Sequence, residues 1–267
     1  MVNQSRTAAI LVHFEDPEQT NRTLDGLLKS KQIDRILLVN HGAYPEPNAG
    51  TSKIEYLVEP NRGYAAGLNL AFKHLHDESQ QKQALVINPD VDIEPQTIDE
   101  IVNEHQRAGA ACTFPSVREG RIQIDGYRIG RFGTLRRVSQ KADYFPGTCF
   151  ILSVDAWKTI GGLDESYFHY FEDADLCLRL KDSGFQVHHA PEIIVMHRGK
   201  SRRDYPGTNL PFFAVRNHLL FLNSLDRMNA LTFINVTSRH LLYLFRWKRG
   251  WRGIKPWAKG IREYLNR

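Results

Sequence analysis

Four short apolar runs in the first 90 residues constrain the fold more than any other feature of the chain. They read AAILVHF, ILLV, IEYLV and ALVI, and they begin at Ala8, Ile36, Ile54 and Ala84. Polar segments separate them, one with leucines at helical spacing (residues 24–28) and one that opens on a glycine-punctuated loop. Buried strands that alternate with helices are typical of parallel βαβ units. The sequence therefore predicts an α/β fold.

Length and composition agree with one large globular unit. The 267 residues are 42% hydrophobic and 24% charged, which suits one α/β domain, alone or with a helical appendage. The same values exclude a disordered or fibrous protein. The cysteines, Cys112, Cys149 and Cys177, are too few and too widely spaced for a disulfide framework or a zinc cluster, and they suit a reducing cytoplasm.

The sequence predicts neither a signal peptide nor a membrane span. The first residues, MVNQSRTAAILVHF, hold a short apolar run without a cleavage-type tail. No stretch approaches the roughly 18 to 20 uninterrupted apolar residues of a spanning helix. We therefore expect a cytoplasmic protein.

The positive charge of the chain is concentrated in its last residues. Residues 239–267 hold nine Lys or Arg and one acid, a formal charge of +8, which leaves −3 for the rest of the chain. Three of the four tryptophans, Trp247, Trp251 and Trp257, lie in the same segment. Basic residues interleaved with aromatic ones suit an anionic membrane surface; the alternative is a tail whose aromatic rings pack on the domain. Nothing elsewhere predicts a nucleic-acid-binding fold, so we expect no nucleic acid partner.

Polar residues follow three of the predicted strands, at 13–16, 40–42 and 88–92. In parallel sheets, ligands bind outside the carboxyl ends of the strands. Asp90 and Asp92 could both reach a divalent cation, since Mg²⁺ and Mn²⁺ prefer oxygen ligands; the alternative is a solvated turn. A second strand-like run, 193–196, ends on His197, which could complete a metal site or could be a hydrogen-bonded histidine at a strand end.

A dense group of acids opens a predicted helix within the stretch Gly161 to His197. Glu172, Asp173 and Asp175 occupy three of four consecutive positions, directly after several aromatic residues. Free N–H groups and the macrodipole favour acids at a helix N-terminus, so one of them could be a cap. A cap accounts for only one acid. A carboxyl group in an aromatic pocket could instead have its pKa adjusted for general-base catalysis.

Taken together, four motifs resemble the inverting, metal-dependent glycosyltransferases of family 2, in particular the bacterial rhamnosyltransferase-like subgroup. The motifs are NRGYAAGLN, INPDVDI, PGTCFIL and GGLDESYFHYFEDADLCLRLKDSGF, the last followed by Met196-His197. The resemblance runs from about Ala8 to Ser201 and extends weakly through Val215-Arg216-Asn217. It implies the GT-A (nucleotide-diphospho-sugar transferase) fold, with a mostly parallel central sheet flanked by helices.

The resemblance also implies a domain division. Residues 1–210 would form the catalytic domain, with a nucleotide-sugar half at about 1–110 and an acceptor half at about 111–210. Residues 211–267 would be a helical, basic and aromatic extension.

The resemblance assigns roles to individual residues. Asp90 and His197 would bind a Mn²⁺ or Mg²⁺ ion that bridges the diphosphate, with Asp92 as a further ligand. Asp173 would deprotonate the acceptor hydroxyl, supported by Glu172. The remaining implied residues are the nucleotide-sugar set His13, Glu15, Asn40, Asn61, Gly67, Asn69 and Asn88, the phosphate set Arg198 and Arg202, and the acceptor-side set Gly147 and Asp175.

The implied partners are a dTDP- or UDP-sugar donor and a glycan or lipid-linked acceptor in bacterial surface polysaccharide synthesis. One position departs from the family pattern: Asn40-His41 stands where relatives usually have Asp-Asn. An Asn amide oxygen still accepts a hydrogen bond from a pyrimidine base, but without a charge. The resemblance therefore does not assign the base.

Two other classes of function compete with this one. A nucleotidyltransferase shares the sheet and the metal carboxylates but would release pyrophosphate, and the Glu172-Asp173 helix has no evident part in it. A non-catalytic glycan-binding relative would not need the acids at 90, 172, 173 and 175.

Overall fold

The computed structural model describes residues 6–42, 52–78, 81–198, 209–246 and 250–267. The strands are β1 (Thr7–His13), β2 (Ile33–Asn40), β3 (Ile54–Val58), β4 (Gln83–Ile87), β5 (Val91–Asp92), β6 (Cys112–Glu119), β7 (Ile122–Ile124), β8 (Tyr127–Ile129), β9 (Leu135–Arg137), β10 (Cys149–Ser153) and β11 (Val187–His197). The α-helices are α1 (Pro17–Lys29), α2 (Tyr64–Glu78), α3 (Pro95–Ala108), α4 (Val154–Thr159), α5 (Glu172–Asp182), α6 (Leu210–Ser224), α7 (Ala230–Arg246) and α8 (Ile254–Leu265). Short 3₁₀ turns lie at Arg131–Gly133 and Gly250–Gly253.

The first half of the chain forms the predicted parallel βαβ arrangement. In the main sheet the strand order is β3-β2-β1-β4-β10-β6-β11-β5, with β7 paired to β6. Strands β3, β2, β1 and β4 are mutually parallel. Every residue of β1 and β4 is buried, because both faces of these central strands are covered by helices.

The second half of the chain makes the sheet mixed, whereas a mostly parallel sheet was predicted. Strand β10 enters antiparallel to both β4 and β6, and β11 runs parallel to β6 but antiparallel to β5. Strand β6 has no counterpart among the predicted apolar runs, since its sequence CTFPSVRE carries a proline and several polar residues. It is nevertheless buried along most of its length.

The two faces of the sheet are covered by different helices. Side chains of α2, α5 and α6 pack on one face, among them Phe72, Leu176 and Leu219. Side chains of α1 and α3 pack on the other, among them Leu27 and Ile101. Because α6 contributes to the main core, the predicted extension 211–267 is continuous with the catalytic core at its start, and the domain boundary at 210 stays a prediction.

Local turns divide the second half of the chain. The basic segment 116–142 contains the hairpin β8–β9. The helical region is divided between α6, which ends at Ser224, and α7, which begins at Ala230. Among the described helices none is long and apolar enough to span a bilayer.

Candidate active site

The candidate donor and acceptor halves of the site meet where β4 lies beside β10. Ile87, at the end of β4, pairs with Cys149, at the start of β10. The Asn88 N–H donates a hydrogen bond of 2.9 Å to the Thr148 carbonyl. The INPDVDI turn and the PGTCFIL segment, 60 residues apart in sequence, are therefore adjacent in space.

Asp90 and His197 are brought together by the short strand β5. Val91 pairs with His197, and the Arg198 N–H donates to the Asp90 carbonyl at 2.9 Å. As a result, His197 Nε2 lies 3.1 Å from Asp90 Oδ2. Sequence reasoning placed these two residues at one site, and the structure places them in contact.

Glu119 fixes the orientation of the His197 ring. Its Oε1 lies 2.8 Å from His197 Nδ1, so the imidazole bridges two carboxylates. Burial disfavours the imidazolium, but hydrogen bonds to Asp90 and Glu119 and their charges outweigh it and raise the pKa of His197 to about 9. A carboxylate on the far nitrogen of a ligating histidine is the usual outer-shell arrangement at metal sites.

The Asp90–His197 pair fits a divalent cation. One carboxylate and one imidazole form a donor set that Mn²⁺ accepts, and Glu119 presets the ring so that Nε2 faces Asp90. Within the described ranges, no group of three or more His, Cys, Asp or Glu could hold a metal ion. Two protein ligands suit a metal that completes its coordination with substrate phosphates and water.

Asp92 and Arg198 are paired with each other. The Arg198 guanidinium forms an ion pair with the Asp92 carboxylate at the protein surface, where Arg198 is 57% exposed and Asp92 31%. The structure therefore does not add Asp92 to the Asp90–His197 pair. A metal role for Asp92 or a phosphate role for Arg198 would require this ion pair to open. Arg202 lies outside the described residues.

On the acceptor side, backbone N–H groups hold the Asp173 carboxylate. Gly147 N–H donates to Oδ2 and Ala174 N–H donates to Oδ1, both at 2.8 Å. Burial raises the pKa of Asp173, and the hydrogen bonds from Gly147 and Ala174 oppose the rise. A Cβ atom at Gly147 would lie 2.7 Å from the Asp173 Cβ, so the close approach requires glycine.

Glu172, the first residue of α5, has a buried oxygen without a partner. Its Oε2 accepts no hydrogen bond within the described chain, and burial together with the charge of Asp173 raises the pKa of Glu172 to about 8. The two preceding residues, Tyr170 and Phe171, both have left-handed backbones, with φ of 73° and 75°. For aromatic residues this conformation is strained, and such strain is concentrated at functional sites.

Asp175 has a structural partner. Its Oδ2 accepts a hydrogen bond of 2.7 Å from Arg179 Nε. Arg179 in turn donates to the carbonyls of Ile160 and Gly162, at 2.9 and 2.8 Å. Asp175 therefore ties α5 to the segment before it, and its acceptor-side role stays a prediction.

Tyr64 belongs to the site, although sequence reasoning assigned it no role. Its backbone N–H donates to the Phe168 carbonyl at 3.0 Å, which joins α2 to the turn before α5. Its hydroxyl oxygen is buried and makes no hydrogen bond within the described chain. Burial, and then the charges of Glu172 and Asp90, raise the pKa of Tyr64 far above its usual range. The available signal was its place directly after Gly63, at the N-terminus of α2.

The predicted base-binding residues His13 and Asn40 lie side by side at the ends of β1 and β2. Both are buried: His13 Nδ1 contacts Thr20 Oγ1 at 2.7 Å, and Asn40 donates to the Tyr56 hydroxyl at 2.5 Å. Glu15 follows in an exposed position with a φ of 66°. The structure thus groups these three residues at one edge of the sheet.

Gly67 and Asn61, both predicted to bind the nucleotide sugar, differ in burial. Gly67 is buried, and a Cβ there would lie 2.8 Å from the His41 ring, so this glycine serves packing. Asn61 is exposed, and its Oδ1 accepts a hydrogen bond of 3.0 Å from the Gly63 N–H.

Asn69 and Asn88, also predicted to bind the nucleotide sugar, differ in how far their side-chain amide groups are already hydrogen-bonded. Asn69 uses all its amide groups within the protein: it donates to Leu163 and Glu165 and accepts from Trp157 and Leu163, at 2.8 to 3.0 Å. A sugar could bind the Asn69 amide only if one of these hydrogen bonds opened, and its binding role stays a prediction. Asn88 Oδ1, by contrast, is buried and accepts no hydrogen bond within the described chain.

The family described as "Glycosyl transferase family group 2" matches residues 101–254, more than half of the chain. The chain belongs to this family.

Two relatives are named for the transfer of sugars. The low-salt glycan biosynthesis hexosyltransferase Agl10 of Haloferax volcanii is 26% identical over 192 residues, which is 64% of this chain and 62% of the relative. The N-acetylglucosaminyl-diphospho-decaprenol L-rhamnosyltransferase of Mycobacterium tuberculosis is 26% identical over 174 residues, 51% of this chain and 56% of the relative. The matched region thus spans less than two thirds of each relative.

Solved structures confirm the GT-A fold. The mannosyltransferase PcManGT of Pyrobaculum calidifontis, solved with GDP-Man and Mn²⁺, superposes with a TM-score of 0.63 at 11% identity, covering 99% of this chain and 88% of its own. GalNAc-T7, solved with UDP, GalNAc and Mn²⁺, also superposes with a TM-score of 0.63, at 12% identity, covering 90% of this chain and 55% of its own.

Proposed function

We propose that the protein is an inverting, divalent-cation-dependent hexosyltransferase. It moves rhamnose or a similar hexose from a nucleotide diphosphate to a hydroxyl of a glycan or lipid-linked glycan in bacterial surface polysaccharide synthesis. One observation carries the proposal: the Asp90–His197 pair and the Asp173 carboxylate flank the junction between β4 and β10. Displacement at an anomeric carbon needs positive charge beside the leaving diphosphate and a base at the attacking hydroxyl.

Asp90 and His197 would hold the cation. A bound Mn²⁺ or Mg²⁺ supplies charge that stabilises the departing diphosphate. Glu119 keeps the imidazole directed at Asp90, and the pKa of His197 near 9 means that binding the ion requires loss of the imidazole proton. The Mn²⁺ in PcManGT and GalNAc-T7 supports this choice of ion.

Asp173 is the proposed general base. It takes the proton of the acceptor hydroxyl while that oxygen forms a bond to the anomeric carbon. The bond from this carbon to the diphosphate oxygen breaks in the same displacement, so the configuration inverts. The Gly147 and Ala174 N–H groups hold both carboxylate oxygens in fixed directions, and a raised pKa improves a carboxylate as a proton acceptor.

The relatives favour a lipid-linked acceptor. The mycobacterial relative is named for transfer of L-rhamnose to N-acetylglucosaminyl-diphospho-decaprenol, and the haloarchaeal relative for glycan biosynthesis. A polyprenyl diphosphate acceptor is held in a membrane. We therefore also propose that the protein works at the cytoplasmic face of a membrane without spanning it.

The test is a transfer assay with purified protein, Mn²⁺ and a panel of dTDP- and UDP-sugars, in which nucleoside diphosphate release is measured. We expect release from one donor, loss of at least 10²-fold in Asp173→Asn, and retained donor binding in that variant. Glu172→Gln is the matched neighbour, and we expect it to keep more activity than Asp173→Asn. Pyrophosphate release would instead identify a nucleotidyltransferase, and donor binding without turnover would identify a binding protein.

A further inference from the structure

Helix α7 exposes an apolar stripe along its outer face. Leu231, Ile234, Leu242 and Phe245 are 63%, 61%, 68% and 50% exposed, and their spacing places them on one side of the helix. The opposite side of α7 buries Val236 and neighbouring residues against the domain. A soluble helix normally turns its apolar side inward, so α7 has apolar residues on both sides.

Two further aromatic side chains extend this stripe. Phe132, at the tip of the β8–β9 hairpin, is 37% exposed, and its carbonyl accepts a hydrogen bond of 2.7 Å from Asn235 Nδ2 of α7. Trp251 is 82% exposed, and its ring centroid lies 6.0 Å from that of Phe245. The α7 face consists of these six residues: Phe132, Leu231, Ile234, Leu242, Phe245 and Trp251.

The elements that carry the α7 face are rich in basic residues and lack acids. Residues 126–142, which include the hairpin, contain five Lys or Arg and no acid, and residues 230–253, which include α7 and Trp251, also contain five and no acid. Arg131, Arg136 and Arg137 of the hairpin and Arg239 of α7 are exposed. An apolar stripe on elements that carry cations and no acids of their own matches the boundary between acyl chains and anionic headgroups.

We propose that the α7 face docks on an anionic lipid bilayer. Two copies of this chain would bring their cations together if they paired through the face, so charge disfavours self-association and favours a negatively charged partner. A contiguous exposed apolar patch of this kind marks an interaction surface. The docking itself does not depend on the proposed function. Only its purpose does, which is to bring the active site to an acceptor held in the membrane.

The proposal moves the predicted membrane contact from the end of the chain to α7 and the hairpin. Helix α8 packs on α6: a Cβ at Gly260 would lie 2.6 Å from the Phe212 carbonyl oxygen, and Trp257 packs against the main core. Of the tail residues that the structure describes, Leu242, Phe245 and Trp251 join the face. The other three residues of the α7 face, Phe132, Leu231 and Ile234, precede the predicted segment 239–267.

Vesicle flotation tests the proposal with the full chain and vesicles of phosphatidylcholine, with and without phosphatidylglycerol. We expect binding only to the anionic vesicles and a loss of binding in 0.5 M salt of about tenfold or more. The combined variant Leu231→Ser, Ile234→Ser and Leu242→Ser should weaken binding at least about tenfold. The combined variant Arg131→Gln, Arg136→Gln and Arg137→Gln should weaken it and reduce its salt dependence.

Val58→Ser and Ile122→Ser are matched controls, because these apolar residues are 71% and 47% exposed on other elements. They should bind vesicles as the unmodified chain does, and unchanged thermal unfolding should show that every variant folds. Failure of the unmodified chain to bind anionic vesicles at low salt would overturn the proposal. So would unchanged binding of the leucine and isoleucine variant, or a concentration-dependent dimer that this variant abolishes.

The test separates this inference from the proposed function. Serine variants of the α7 face should keep transfer to a soluble acceptor analogue. If no nucleotide sugar were turned over while anionic vesicles were still bound, the proposed reaction would be lost and the membrane surface would stand.

Discussion

The side-chain amide of Asn217 donates a hydrogen bond of 3.1 Å to the Tyr170 carbonyl and another of 2.8 Å to the neighbouring His169 carbonyl. Tyr170 and Phe171 have the left-handed backbone that leads into Glu172. Asn217 is fully buried on α6, within the main core. The core thus holds the turn that directs the acids of α5 into the site.

We therefore expect Asn217→Ala to impair catalysis more than folding. Two carbonyls would lose their donor, at a cost of about 1–3 kcal/mol in the free energy of unfolding, and the acids would lose their fixed position. The expected kcat loss is at least about tenfold. Asn223→Ala, an exposed position on the same helix, is the control and should match the unmodified chain. Equal kcat values for the two variants would contradict the positioning role.

Gly147→Ala tests the contact with Asp173. The backbone of Gly147 lies outside the left-handed region, so alanine introduces no backbone strain, but its Cβ would lie 2.7 Å from that of Asp173. A displacement near 1 Å at a catalytic group costs on the order of 10²-fold in rate. Steady-state kinetics should show this loss, with donor KM little changed. In the control Gly184→Ala, the φ of 80° strains the new alanine, but nothing lies within 4 Å of its Cβ, so transfer should remain.

Glu172→Gln should stabilise the fold at higher pH. The folded pKa of Glu172, about 8, lies above its ordinary value of 4.5. The neutral Glu172 carboxyl therefore makes its full contribution to the free energy of unfolding below pH 4.5. This contribution is lost as the pH rises to about 8, because the buried carboxyl must then ionise. One pKa unit corresponds to about 1.4 kcal/mol, so we expect a gain of roughly 1–3 kcal/mol at pH 8 and little at pH 4.5.

Thermal and denaturant unfolding in EDTA at both pH values measures this difference. Glu18→Gln, at a position 83% exposed, should give no gain at either pH. A gain of equal size at pH 4.5 and pH 8 would show that ionisation of Glu172 is not its cause.

Glu119→Gln should weaken cation binding through His197. An outer-shell partner of a ligating histidine typically contributes 10- to 100-fold in metal affinity. Titration with Mn²⁺, followed by its effect on the melting temperature, should show weaker binding in Glu119→Gln and none in His197→Ala. The matched control is His188→Ala, because His188, also on β11, contacts Glu104 at 2.8 Å. Loss of Mn²⁺ stabilisation in that control as well would contradict a specific site.

Tyr64→Phe should reduce transfer without lowering stability. The Tyr64 hydroxyl makes no hydrogen bond within the described chain, so its removal relieves a buried polar group. We expect an unchanged or higher melting temperature together with a loss of about tenfold in kcat/KM. The contrasting variant is Tyr56→Phe. It removes a hydroxyl that accepts a hydrogen bond from the Asn40 amide, so it should lower the melting temperature. A fully active Tyr64→Phe would exclude the hydroxyl from the reaction.

The parts of the fold that follow from local patterns were predictable. Short apolar runs identified the parallel strands β1, β2, β3 and β4. Strand β6 was not predictable, because the burial of CTFPSVRE comes from its neighbours β10 and β11 and not from its own composition.

For the site, family resemblance assigned Asp90 and His197, which are 107 residues apart, to one metal site, and the structure places their side chains 3.1 Å apart. The roles of Glu119, Tyr64 and Asn69 depend on contacts with distant segments that leave no periodic signal in the chain. Asn69 shows the limit most clearly: its motif suggested a sugar ligand, whereas its amide is fully used by the segment around Leu163.

The insertion of β10 between β4 and β6 has a consequence for how the chain folds during synthesis. Strand β4 is fully buried in the finished sheet, yet its neighbour on one side is supplied only by residues 149–153. Until those residues leave the ribosome, β4 has an unpaired edge, the kind of strand edge that promotes aggregation. A nascent chain that ends before residue 149 should therefore depend on chaperones, and the donor half should not persist as an independent fragment.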